Sequence, residues 1–168
     1  MQSKNYKHWI SVVDDKRCVD CEKMHGKIYA VDEKPVPSPP LHYFCRCYIE
    51  TMKAILAGKA TDKAKDGADW WLKNTGELPD YYITEKEAEQ LGWQAKKHNL
   101  HIVAPCKMLF KGEYRNKDGH LPSAYGRRWY EADIDYTQGK RGVKRVVFSN
   151  DGLIFVTYDH YKTFHEII

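Results

Sequence analysis

Four of the five cysteines fall in two tight pairs near the start of the chain, Cys18-Val-Asp-Cys21 and Cys45-Arg-Cys47; only Cys106 lies later. Two pairs separated by about two dozen residues suit a tetrahedral thiolate zinc site. A segment of this length buries little core by itself, so a metal would supply stability. The second spacing, Cys-x-Cys, is tighter than the usual Cys-x-x-Cys, which makes His42 a competing ligand for Cys18, Cys21, Cys45 and Cys47. Two disulfides and free thiols are the alternatives, and redox compartment decides among them.

Beyond residue 52 the cysteine pattern stops. Lys53 to Lys65, rich in lysine and alanine with Gly58 in its middle, reads as a linker or short helix. The expected organisation is therefore a cysteine-rich module over residues 1–52, a linker over 53–65 and a second domain over 66–168. Asp66 is placed to cap a helix in which Ala68, Trp71 and Leu72 recur, with Gly76 and Pro79 as stop signals. Thr84-Glu85-Lys86-Glu87 forms a capping box for a second helix that ends at Gly92. A short turn of helix fits Asn99 to Ala104. From Met108 the period becomes two. Arg128 to Tyr136 alternates, with Tyr130, Ala132, Ile134 and Tyr136 on one side and Trp129, Glu131, Asp133 and Asp135 on the other. Val143–Ser149 and Leu153–Tyr158 flank Asn150-Asp151-Gly152, a strong hairpin signal, and Thr163–Ile168 fits a last strand. Helices first and strands later predict an α+β domain, N-terminal helices packed on an antiparallel β-sheet.

Composition narrows the class. With 42% hydrophobic, 30% charged and 13% aromatic residues among 168, the chain is no disordered tail. No apolar run approaches the roughly 20 residues of a membrane span. The first thirty residues contain no signal-peptide h-region, which excludes a simple Sec-secreted product. Residues 107–145 hold ten Lys and Arg against five Asp and Glu. Such a basic stretch favours an anionic partner, although on charge alone a solvated face is the simpler reading.

The strand half also concentrates chemistry. Glu131 faces away from Tyr130 and Ala132, Arg145 away from Val146. Arg141 precedes that strand, and His160 lies in the turn Asp159-His160-Tyr161. A carboxylate, two guanidiniums and an imidazole on one face are sufficient for RNA cleavage by its own 2′-hydroxyl. A base takes the 2′-OH proton, an acid protonates the leaving 5′-oxygen, and cations stabilise the phosphorane. Counted alone, these residues are more simply read as a surface ion pair and a solvated histidine.

The surrounding motifs decide between those readings. They are Leu78-Pro79-Asp80, Tyr82-Ile83-Thr84, Leu91-Gly92-Trp93, Val103-Ala104-Pro105, Gly119-His120-Leu121-Pro122, Trp129-Tyr130-Glu131-Ala132-Asp133-Ile134 and Asp159-His160-Tyr161-Lys162-Thr163-Phe164. In order and over roughly 100 residues, this part resembles the barnase family of guanyl-preferring microbial ribonucleases. The resemblance implies Glu131 as general base, His160 as general acid, and Arg141 and Arg145 as ligands of the scissile phosphate. It implies that Tyr114, Arg115, Asn116, Lys117 and Asp118 form the guanine-binding loop, with Tyr161 on the substrate side and Trp93 and Asn99 in structural positions. It implies cleavage of single-stranded RNA 3′ of guanosine to a 2′,3′-cyclic phosphate, without a catalytic cofactor. Asp118 is one methylene shorter than the family's glutamate. Where the family has an active-site lysine, this chain has Glu85, which implies weaker transition-state stabilisation or another source of that cation.

Residues 1–52 resemble the cysteine-bearing segment of phage minor-head (head-morphogenesis) proteins and of some bacterial toxins. The carriers are Trp9, Asp14-Asp15-Lys16-Arg17-Cys18, Cys21, Gly26-Lys27-Ile28-Tyr29, Pro39, His42 and Cys45-Arg46-Cys47. The two resemblances together imply a ribonuclease effector, secreted or delivered, acting in a target-cell cytoplasm. RNA would be its substrate and a small acidic barstar-like immunity protein its inhibitor, with the protein otherwise a monomer. A phage head protein that keeps the ribonuclease fold for RNA binding is the alternative. Retention of both Glu131 and His160 favours the enzyme, because RNA binding needs neither.

Overall fold

The computed structural model describes all 168 residues. They form two compact units, Met1–Ala54 with Asn116–Gly126, and Ile55–Arg115 with Arg127–Ile168.

In the first unit β1 (Gln2–Ile10) pairs antiparallel with both β2 (Ile28–Ala30) and β3 (Tyr48–Ile55). These strands have little period-two signal. The β1 register shifts between Gln2 and Lys7, and polar residues fill most of β1. Trp9, Ile28 and Met52 are buried between the elements. Helix α1 (Val19–Met24) starts at Cys18, whose sulfur accepts the Cys21 N–H at 3.4 Å.

The second unit begins with α2 (Ala68–Thr75), β4 (Tyr82–Thr84), α3 (Glu85–Gln90) and α4 (Leu100–Val103). Then follow β5 (Met108–Tyr114), β6 (Trp129–Asp133), β7 (Arg145–Ser149), β8 (Ile154–Thr157) and β9 (His165–Ile167). The strand order β9-β8-β7-β6-β5-β4 is antiparallel except for the parallel pair β4–β5. This is the expected α+β arrangement. Ala68 and Leu72 of α2 share one core cluster with Ala132, Val146, Ile154 and Val156 of the sheet. A second cluster joins Ala88 of α3 and Leu100 of α4 to Met108 and Leu109 of β5. Each large apolar side chain so buried stabilises the fold by about 1.5–3 kcal/mol.

The expected signals at α3 and the hairpin hold in detail. The Thr84 hydroxyl accepts the Glu87 N–H at 3.2 Å, while the Glu87 carboxylate accepts the Thr84 N–H at 2.7 Å. Between β7 and β8, Gly152 adopts φ +91°, which an L side chain rarely tolerates.

Three details differ from expectation. Helix α2 is capped at Gly67, with no side-chain cap bond from Asp66. The acid that matters there is Asp69, fully buried, which accepts the N–H groups of Gly58 and Ala60 and the hydroxyl of Thr61 at 2.7–3.0 Å. Much of the stretch 53–65 is thereby ordered, with Lys53–Ile55 closing β3. Strand β6 ends at Asp133; Asp135 turns to φ +56°, and Tyr136 enters the second cluster instead of lying beside Ala132. Finally, the sheet face that carries Glu131 is not a solvent face throughout, because Trp129, Val147 and Phe155 on it are buried.

Candidate active site

Alternation along β6 sends Tyr130 and Ala132 to one face and Glu131 and Asp133 to the other. Asp133, only 1% exposed, organises the two arginines. Its carboxylate accepts Arg141 Nε at 2.5 Å and Nη2 at 2.9 Å, and Arg145 Nε lies 3.0 Å from it. Arg145 sits directly across the β6–β7 pair from Asp133, and its Nη1 donates to the carbonyls of Gly142 and Lys144. Burial works against the charge on Arg141, but Asp133 outweighs it and raises the guanidinium pKa above its ordinary value. Arg141 also lies 3.9 Å from Glu85 at the start of α3 and about 6 Å over the Trp93 ring. Both arginines line a cleft of about 220 Å³ shared with Trp93, His98, Lys111 and Lys140.

Glu131 is held from the other side. The Tyr161 hydroxyl donates to its Oε2, leaving Oε1 without a protein partner. Burial, reinforced by this carboxylate, pushes the Tyr161 phenol far above its ordinary pKa, so it stays a donor. The Tyr161 ring stacks on Tyr114 at 5.2 Å. The turn that presents Tyr161 is built around Asp159, which accepts from the Thr157 and Thr163 hydroxyls and from the Lys162 and Thr163 N–H groups. Burial of Asp159 opposes its ionisation, but these hydrogen bonds prevail and hold its pKa below the ordinary value. They lock His160 and Tyr161 at φ +59° and +67°, a left-handed conformation that costs of order 1–3 kcal/mol per residue. The exposed His160 ring lies 4.9 Å from the Tyr161 ring and makes no hydrogen bond to Glu131, Arg141 or Arg145.

The 116–118 segment lies in the first unit, while Tyr114 and Arg115 lie in the second. Asn116, at φ +44°, closes its own loop: its amide donates to the Leu121 carbonyl and accepts the Leu121 N–H. Lys117 and Asp118 are exposed.

Residues 63–168 match the family model described as ribonuclease, which covers most of the chain. The chain belongs to the ribonuclease family. Ribonucleases of Heyndrickxia coagulans, Bacillus intermedius and Bacillus pumilus are each 49% identical to it over 102 residues, 61% of this chain. The match takes in 94% of the first relative and 63% of each of the other two. Residues 1–50 match the model described as Phage Mu protein F like protein. Membership of the ribonuclease family makes residues 63–168 an endoribonuclease domain. Two residues beside Arg141 and Arg145 have no role that the sequence spells out. Asp133 was legible as a same-face neighbour of Glu131, but its grip on both arginines depends on the β6–β7 register. Lys111 had no signal beyond being basic.

The first unit of this ribonuclease gathers the sequence-predicted metal ligands. Cys18, Cys21 and His42 form one triad of donor atoms, and Cys21, Cys45 and Cys47 form another. His42 Nε2 lies 3.2 Å from the Cys18 sulfur and 3.3 Å from that of Cys21. The Cys21–Cys45 sulfur separation is 3.7 Å, close to the edge of a tetrahedron with zinc–sulfur bonds of about 2.3 Å. Burial pushes the Cys21 thiol up; at Cys45 burial is outweighed by hydrogen bonds at the backbone of Leu41 and Cys47, which bring it to about 6. The set fits a four-coordinate soft metal with Cys21 common to both triads. The Arg46 guanidinium forks onto Asp14 with two 2.7 Å bonds and braces the segment between the ligands.

Proposed function

We propose that residues 63–168 cleave single-stranded RNA 3′ of guanosine by metal-independent transesterification. The free Oε1 of Glu131 takes the proton of the 2′-hydroxyl. The 2′-oxygen then attacks the adjacent phosphorus, and the bond to the 5′-oxygen breaks. His160, entering protonated, gives its proton to that leaving oxygen. The products are a 2′,3′-cyclic phosphate and a 5′-hydroxyl, with Glu131 left protonated and His160 neutral. Arg141 and Arg145 hold the non-bridging oxygens and stabilise the phosphorane charge. The observation that carries this reading is the single sheet face on which Tyr161 fixes Glu131 while Asp133 fixes both arginines. The Asn116–Leu121 bonds hold the guanine loop, in which the exposed Asp118 is the acid that would pair with the base. The test is incubation of the purified protein with single-stranded RNA, with and without EDTA, followed by end mapping. Cyclic phosphate ends after guanosine, unchanged by EDTA, are expected. Loss of cleavage in EDTA with the fold retained would overturn the mechanism, and even cutting after all four bases would overturn the preference.

We also propose one structural zinc in the first unit, drawn from Cys18, Cys21, His42, Cys45 and Cys47. The two triads that share Cys21 support it. Elemental analysis should find about one zinc per chain and none in Cys21→Ser. No metal, together with two titrated disulfides, would overturn it. In the same reading, residues 1–50 are a delivery segment and the ribonuclease is an effector restrained by an immunity protein in the producer.

A further inference from the structure

We propose that Lys111 is a substrate-phosphate ligand of the active site, supplying the positive charge that Glu85 and Asp133 remove from the two arginines. The inference rests on the ribonuclease reading above.

Lys111 occupies a bulge in β5. Phe110 pairs with Ala132 and Gly112 with Glu131, so Lys111 is the extra residue in that register, and two residues of β5 oppose Glu131 alone. Bulges of this kind leave a residue unpaired in the ladder and re-aim its side chain. Gly112, at φ +84°, permits the local twist. The re-aimed Lys111 lines the same cleft as Arg141 and Arg145.

Charge shows why a further cation is needed. Arg141 and Arg145 both face Asp133, and Arg141 also faces Glu85. Two guanidiniums against two carboxylates leave no net positive charge, and Glu131 beside them is another acid. A phosphodiester entering this cleft would meet a site neutral or negative on balance. Lys111 and Lys140 are the remaining cations that line it. Lys140 is exposed, on the loop before β7, whereas Lys111 is half-buried on a strand. The Lys111 side chain makes no ion pair or hydrogen bond within the protein, unlike those of Arg141 and Arg145. Its ammonium is therefore available to pair with an anionic ligand that enters the cleft.

The test compares wild type with Lys111→Ala, Lys111→Arg, Lys111→Gln and the double variant Lys111→Ala/Glu85→Lys. Cleavage of a short RNA gives kcat/KM, and binding of the same sequence as an uncleavable 2′-deoxy oligonucleotide gives affinity. Lys111→Ala should lower kcat/KM by about 10²-fold, the usual effect of removing one transition-state charge contact. It should also reduce the slope of log affinity against log salt by about 0.7, the value for one single-strand phosphate contact. Lys111→Arg should retain most of the activity, and the double variant should recover roughly tenfold, because Glu85→Lys restores positive charge next to Arg141. Thermal unfolding identifies folded variants, and Lys111→Gln keeps the side-chain stem if the alanine does not fold. Rates and oligonucleotide affinity within twofold of wild type for the charge-removing variants would overturn the proposal. If wild type cleaves no RNA, the ribonuclease reading fails, while the oligonucleotide affinities still decide Lys111.

Discussion

The buried carboxylate of Asp133 grips the Arg141 guanidinium through two hydrogen bonds, at 2.5 and 2.9 Å. Since Arg145 leans on the same carboxylate, one acid sets the position of both guanidiniums that line the cleft. Asp133→Ala should therefore act on stability and rate together. It strands a nearly buried guanidinium, which costs about 3–5 kcal/mol. Asp133→Asn keeps the shape and part of the hydrogen bonding, so it should lower turnover more than stability. Urea unfolding alongside kcat measurements checks both, and an unchanged rate in a folded Asp133→Asn would show that the arginines need no such support.

Glu131 and Tyr161 should separate by magnitude. Glu131→Gln removes the base and should cut turnover by roughly 10²–10⁴-fold. Tyr161→Phe leaves the base but deletes the hydrogen bond that orients it. A hydrogen bond to a charged group contributes about 1.5–3 kcal/mol, so a loss of roughly tenfold or more is expected, with the Tyr114 stacking intact. Equal losses in the two variants would mean that Tyr161 does more than orient Glu131.

The Asp159 turn gives the protein an acid-sensitive element. Its folded pKa is depressed, so the stability it contributes is fully present above the ordinary carboxylate value near 4. That contribution is lost as pH falls through the lower folded value. Asp159→Asn should flatten the decline in melting temperature below about pH 4. It should also slow the enzyme at neutral pH, because the left-handed His160 and Tyr161 lose their anchor. Melting curves from pH 2 to 7 decide the first point; an unaltered acid decline would refute it.

An inhibitor that covers a cleft lined by Lys111, Lys140, Arg141 and Arg145 should present an acidic face. Association with the proposed immunity protein should be fast and slow down as salt rises. Arg141→Ala should weaken it, whereas Glu85→Lys should strengthen it by removing a carboxylate that faces the inhibitor's acids. Stopped-flow association across a salt series measures this, and undiminished binding to Arg141→Ala and Arg145→Ala would place the inhibitor elsewhere.

Local signals were legible where the chain satisfies its own backbone. The Thr84–Glu87 box, the Asn150-Asp151-Gly152 turn and the Gly76 cap, at φ +80°, involve residues within a few positions of one another. The strands of the first unit were not legible, because β1 carries mostly polar residues and pairs with partners about twenty to fifty positions away. Propensity favours Asp66 over Gly67 as a cap, but the tertiary pull of Gly58, Ala60 and Thr61 on Asp69 sets where α2 begins. A Cβ on Gly67 would sit 1.9 Å from the Thr61 hydroxyl, a close approach that no local pattern announces.

By itself the sequence determined which chemical groups this protein owns: the order of Glu131, Arg141, Arg145 and His160, the two cysteine pairs with His42, and an α+β pattern to carry them. Side-chain type and chain order are local properties. Tertiary structure alone decided which groups meet. The β6–β7 register puts Asp133 opposite Arg145, the bulge opposite Glu131 sends Lys111 into the arginine cleft, and Glu85 approaches Arg141 from another element. Such meetings depend on strand register and helix placement. A shift of one residue in the β6–β7 pairing would turn Asp133 or Arg145 to the other face of the sheet.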